Sequence, residues 1–131
     1  MATTAMTKPA VKLTAIDHVV IYVRDLARSK AFYTDVLGMT VRSAGSGYAF
    51  LYCGDGGQQV GLFATDDGKT PPAGADLNHL AFSVPSGTRT EIASALAAHG
   101  VKARGRRGDP DCVYFDDPDG HCLQIVVPKR R

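Results

Sequence analysis

Tryptophan is absent from this 131-residue chain, cysteine occurs only three times, and no apolar run outlasts a strand. Each shortage excludes something. A membrane-spanning helix needs roughly 18 consecutive apolar residues, so none is expected. Cys53, Cys112 and Cys122 make an odd count with no C-x-x-C spacing. That argues against a disulfide framework or a zinc knuckle and for reduced thiols in a cytoplasm. The net charge of +2 is too mild to call for a nucleic-acid partner. Residues 1–13 lack the apolar stretch of a secretory signal and read as a loose polar tail, and residues 129–131 as a basic one. With 44% hydrophobic and 21% charged residues the chain is not disordered. Its length suits one domain, or two small halves sharing a core.

What is present is periodicity. Ile16, Val19, Val20, Ile21, Tyr22 and Val23 make a β-branched, aromatic strand, after which Asp25 is placed to cap a helix. The helix is expected over Leu26–Leu37, with Leu26, Tyr33, Val36 and Leu37 on one stripe and Gly38 as its left-handed stop. Strands are then expected over Met39–Ala44, Tyr48–Cys53 and Gln58–Ala64, parted by glycine-rich turns. A polar, proline-broken linker covers 66–76. The same order begins again: strand Asn78–Val84, a capping box at Thr88–Glu91, a helix burying Ile92, Ala95 and Leu96, and a stop at Gly100. Strands Val101–Arg104, Asp111–Phe115 and His121–Val127 follow, the last two joined by a tight Asp117-Pro118-Asp119-Gly120 turn.

This is an internal repeat, with module one at 14–65 and module two at 77–128. His18 precedes Gly38 by 20 residues and His79 precedes Gly100 by 21, and each histidine follows Asp or Asn. Alternation sorts the strand faces. His79, Ala81 and Ser83 oppose the apolar Leu80, Phe82 and Val84; Cys122, Gln124 and Val126 oppose Leu123, Ile125 and Val127. Gln59, Gly61 and Phe63 oppose Val60 and Leu62, and a short hairpin at Asp117–Gly120 would set Tyr114 across from Gln124. The predicted fold is α+β: two tandem βαβββ modules whose curved mixed sheets surround a partly polar cleft suited to a small ligand. In module two the cluster Lys102, Arg104, Arg106 and Arg107 offers charge for an anionic one.

Asp17-His18-Val19-Val20-Ile21-Tyr22-Val23, Ala31-Phe32-Tyr33, Val36-Leu37-Gly38-Met39, Asn78-His79-Leu80-Ala81-Phe82 and Val113-Tyr114-Phe115-Asp116-Asp117-Pro118-Asp119-Gly120 resemble the vicinal oxygen chelate superfamily of glyoxalases, bleomycin-resistance proteins and extradiol dioxygenases. The resemblance implies a divalent metal (Zn, Ni, Fe or Mn) held by His18 and His79, with Gln124 where the closing Glu usually stands. The corresponding position of module one falls on Gly61, with Gln59 two residues earlier on the same face. Gln59, Phe63, Tyr114 and Cys122 are the candidate substrate-binding residues. An amide can ligate a metal, but it brings no charge and cannot serve as a general base. Two functions therefore stand side by side. One is a metal-dependent lyase, isomerase or dioxygenase acting on a small oxygenated substrate; the other is a metal-free protein that sequesters its ligand. The resemblance also implies a homodimer, with the site formed within one chain or across two.

Overall fold

The computed structural model describes residues 12, 15–55, 57–65, 68 and 77–127. The tails and most of the expected linker lie outside these residues. Module one runs β1 (His18–Val23), α1 (Leu26–Ala31), β2 (Thr40–Ala44), β3 (Tyr48–Tyr52) and β4 (Gln59–Ala64). Module two repeats it as β5 (Leu80–Ser83), α2 (Arg89–Ala98), β6 (Arg104–Arg106), β7 (Asp109–Asp116) and β8 (Cys122–Val126). The sheets have equivalent orders, β1-β4-β3-β2 and β5-β8-β7-β6. In each, the first strand pairs parallel with the last and the remaining pairs are antiparallel. The α+β fold of two tandem modules is thus the one the repeat predicts.

The alternation does the sorting. Ile21 and Val23 of β1, Ala49 and Leu51 of β3, and Val60 and Leu62 of β4 are buried, as are Val113 and Phe115 of β7 and Leu123 and Ile125 of β8. With Tyr33, Met39 and Leu96 they form one cluster, so the modules share a core. The opposite faces carry His18, Val20 and Tyr22 in module one, and Tyr114 and Gln124 in module two.

Local chemistry sets the helix ends. The Asp25 carboxylate accepts from the Arg28 amide at 3.1 Å, and both arms of the Thr88–Glu91 capping box are made. Gly38 and Gly100 take φ of 71° and 76°, where a side chain would be strained. Several boundaries differ from the expectation. The first helix turns π-helical over Phe32–Val36. There the Thr34 hydroxyl donates to the Lys30 carbonyl at 3.0 Å. Ala95 is exposed, and Ala93 joins Ile92 and Leu96 on the packed side of α2. Val101 is not in a strand, because its amide closes the helix end on the Leu96 carbonyl; β6 starts at Arg104.

One buried turn ties the modules together. Asp119 accepts from the backbone and Nε of Arg24, both at 3.0 Å, and from the Ser29 hydroxyl at 2.9 Å. Asp117 accepts from the Tyr33 hydroxyl at 2.8 Å and from the amides of Asp119 and His121. Burial and the Asp117 charge push Tyr33 well above the ordinary phenol range. Burial raises Asp117 despite those hydrogen bonds. It would also raise Asp119, but donors from Arg24 and Ser29 and the nearby Arg28 outweigh it and hold that carboxyl low.

Candidate functional site

His18 opens β1 and His79 immediately precedes β5. Both rings are held the same way. Nδ1 of His18 donates to the Asp17 carboxylate at 2.8 Å, and Nδ1 of His79 donates to the Asn78 carbonyl oxygen at 2.8 Å. A neutral imidazole that donates through Nδ1 keeps its lone pair on Nε2, the arrangement found behind metal-binding histidines. Each ring also packs edge-on against an aromatic ring: His18 on Phe50 at 5.4 Å and His79 on Tyr114 at 5.6 Å between centroids. A guanidinium lies over each of those aromatics, Arg42 over Phe50 at 5.5 Å and Arg106 over Tyr114 at 5.8 Å. The duplication therefore extends from histidine to a set of four: Asx, His, aromatic and Arg.

In module two, a cavity of about 240 Å³ is lined by Asn78, His79, Arg104, Gly105, Arg106, Tyr114 and Cys122. Arg104 donates to Asp116 at 2.9 Å and to the Cys122 sulfur at 3.4 Å, and the Asp116 bond raises it further above its already high range. Gln124 sits in register with Ala81 on one side and Tyr114 on the other, half-buried on the face that carries these groups. In module one, Gln59 is the register partner of His18 and Phe63 that of Tyr22. Tyr48, Phe50 and Phe63 form a ring cluster, with centroids 5.7–6.2 Å apart.

The expected site residues thus gather as two groups. His79, Tyr114 and Cys122 share a cavity, with Gln124 on their face; His18, Gln59 and Phe63 share the open face of the first sheet. Among the described residues, the ring and hydrogen-bond partners of His18 belong to module one, and those of His79 to module two. β1 touches module two at Tyr22, whose carbonyl accepts from His121 Nε2 at 2.7 Å. That point is four residues beyond His18, roughly 13 Å of extended chain. Among the described residues, no three His, Cys, Asp or Glu side chains converge as a metal cluster.

A family model of the glyoxalase/bleomycin resistance protein/dioxygenase superfamily matches residues 15–125. The chain belongs to this superfamily. It is 30% identical over 118 residues to glutathione transferase FosA of Serratia marcescens, covering 88% of this chain and 82% of that protein. It is 33% identical over 128 residues to the uncharacterized protein YaeR of Escherichia coli strain K12, covering 86% and 95%. The crystal structure of the fosfomycin resistance protein FosX from Listeria monocytogenes superposes with a TM-score of 0.72 at 20% identity, over 90% of this chain and 94% of that one, a likeness of fold.

Within the superfamily fold, the first-module departure has a steric reason. A Cβ on Gly61 would lie 2.7 Å from the Phe50 ring and 3.1 Å from Val20. The ring of Phe50 fills the space that a side chain at 61 would need. Gln59 is engaged as well, its carbonyl oxygen accepting from Arg42 Nε at 2.7 Å. The sequence reading did not single out Arg42 and Phe50. A signal for them exists: an arginine and an aromatic residue eight positions apart, Arg42 with Phe50 and Arg106 with Tyr114, recur in the two halves.

Proposed function

We propose that this chain is a divalent-metal-dependent enzyme of the superfamily, acting on a small oxygenated substrate. His18 and His79 would hold the ion through Nε2, and the amide oxygen of Gln124 would be a neutral third donor. The observation that carries this reading is the repeated Asx–His hydrogen bond, which leaves the ligating nitrogen of both rings free to bind. The fit is one of donor chemistry, imidazole and amide suiting Zn, Ni, Fe or Mn. A bound ion would supply Lewis-acid polarisation of adjacent substrate oxygens. The protein's own part is to orient both imidazoles through Asp17 and Asn78. Tyr114, Cys122, Phe63 and Gln59 would wall the substrate. Gln124 cannot take a proton, so a reaction needing a general base would draw on another group.

The reaction classes in view are lyase, isomerase and dioxygenase. The relationship to a glutathione transferase adds thiol transfer as the first assay to run. Because His18 and His79 have partners in different modules, the reading favours a homodimer in which His18 of one copy meets His79 and Gln124 of the other. Cys53, Cys112 and Cys122 are in no disulfide, which supports a reducing, cytoplasmic setting. No helix among the described residues is long and apolar enough to cross a membrane.

A second reading, metal-free sequestration of a ligand, is favoured by the neutral Gln124 and by the filled space at Gly61. Elemental analysis of untagged protein decides between them. About one metal per chain, lost in both His18→Ala and His79→Ala, is the result expected of the enzyme. No uptake from Zn, Ni, Mn or Fe solutions would leave only the binding protein.

A further inference from the structure

The geometry points to Arg42 as the residue that reads the ligand's charge: it binds the oxyanion of a small acid whose apolar body lies against Phe50, Phe63 and Tyr48. This deepens the function proposed above and rests on placing His18 in the site. Three arginines of the described structure each have a carboxylate within ion-pair distance. Arg24 and Arg28 face Asp119, and Arg104 pairs with Asp116. Arg42 has no carboxylate within ion-pair distance among the described residues, yet it is fixed twice, by Gln59 through Nε at 2.7 Å and by stacking on Phe50 at 5.5 Å. A neutral amide as anchor leaves the positive charge uncompensated. Anchoring through Nε leaves both terminal amino groups of the fork to meet a carboxylate or phosphonate side by side.

Its position fits that use. Arg42 stands where β2 carries an irregularity, between Val41 and Ser43. Gln59 is the register partner of His18, and Phe50 packs on the His18 ring. The guanidinium therefore touches two groups that both border His18, its register partner and the aromatic ring beside its imidazole. Around it the face is apolar and open: Val20, Tyr22 and Tyr48 are 39%, 49% and 37% exposed. A cation beside exposed aromatic surface selects an acid with a flat or apolar body over a neutral ligand or a bare ion.

The test uses metal-free protein, so that it does not depend on the metal reading. Wild type and Arg42→Gln are titrated with benzoate, phenylphosphonate and the neutral benzamide, following the arginine Nε–H signals by NMR. The Arg42 signal, identified by its loss in the variant, is expected to shift with one or both acids. That acid should bind about tenfold or more tighter than benzamide, the difference vanishing in Arg42→Gln. Whichever of benzoate and phenylphosphonate binds tighter names the oxyanion. Arg42→Lys, which keeps the charge but not the fork, should fall between. Arg42 is exposed, so an unchanged melting temperature will show that the variants fold. Equal affinity of wild type and Arg42→Gln for the acids, benzamide binding as tightly as they do, or no binding of either acid at millimolar concentration would overturn the proposal. Acid binding through Arg42 without metal uptake would sink the metal reading alone, and metal uptake without acid binding would sink this one alone.

Discussion

The chemistry turns on single atoms, beginning with the amide at Gln124. Gln124→Glu restores a negative charge on the face that carries His79 and Tyr114, at constant size. Since charged oxygen donors hold divalent ions more tightly than amides, the variant is expected to gain about tenfold or more in metal affinity. Competition against a chelating dye measures it; an unchanged or weaker affinity would mean that position 124 does not face the ion. Gly61 tests the same question in module one. An alanine there meets the Phe50 ring at 2.7 Å, so Phe50 must move, and a loss of about 1–3 kcal/mol in urea unfolding is expected of this overpacking. If Gly61→Ala is neutral, the ring is not what excludes a side chain from that place.

Among the elements, the Asp117–Gly120 turn bears the most consequence, because it joins module two to α1 and the end of β1. Its two buried carboxylates respond to pH with opposite sign. Asp119 is held low, so its contribution is present above the unfolded value of about 4 and is lost as pH falls through the folded value. Asp117 is raised, so its contribution is full below about pH 4 and is lost as pH rises through the folded value. Relative to wild type, Asp117→Asn should therefore grow more stable, and Asp119→Asn less stable, as pH rises from acid to neutral. Urea midpoints across that range give both slopes, and parallel slopes would refute the assignment. At neutral pH Asp119→Ala should cost about 1–3 kcal/mol, since it leaves the buried Ser29 hydroxyl without its acceptor and releases the half-exposed Arg24. This scale also shows what the sequence made legible. The strands other than β6, and both helix starts, were readable because alternation, Asp25 and Thr88 act within a few residues of themselves. The π-helical stretch was not, since the apolar stripe of Leu26–Leu37 reads as one regular helix. The buried role of Tyr33 was half visible: its place on the apolar stripe showed, but its bond to Asp117, 84 positions away, did not.

At the scale of the molecule, the repeated histidines were legible as a pair, but the sequence left open whether one chain or two bring them together. Among the described residues each ring has its hydrogen-bond and ring partners in its own module, and the Tyr22 carbonyl of β1 accepts from His121 of module two. A composite site makes a quantitative demand on mixed assemblies. When His18→Ala and His79→Ala chains are dissociated, mixed and reassociated, a heterodimer has one site carrying both substitutions and one site carrying neither. Metal binding, absent from each parent, should return to half of the sites in the heterodimers. Sites formed within single chains predict no return, because every chain keeps its own lesion. Sedimentation first tests whether the wild type is a dimer, and tagged and untagged copies allow the mixed species to be isolated before its metal is counted. Recovery near half assigns the two imidazoles of each centre to different subunits. Zero recovery in a verified heterodimer returns both to one chain and requires a change in how the modules sit.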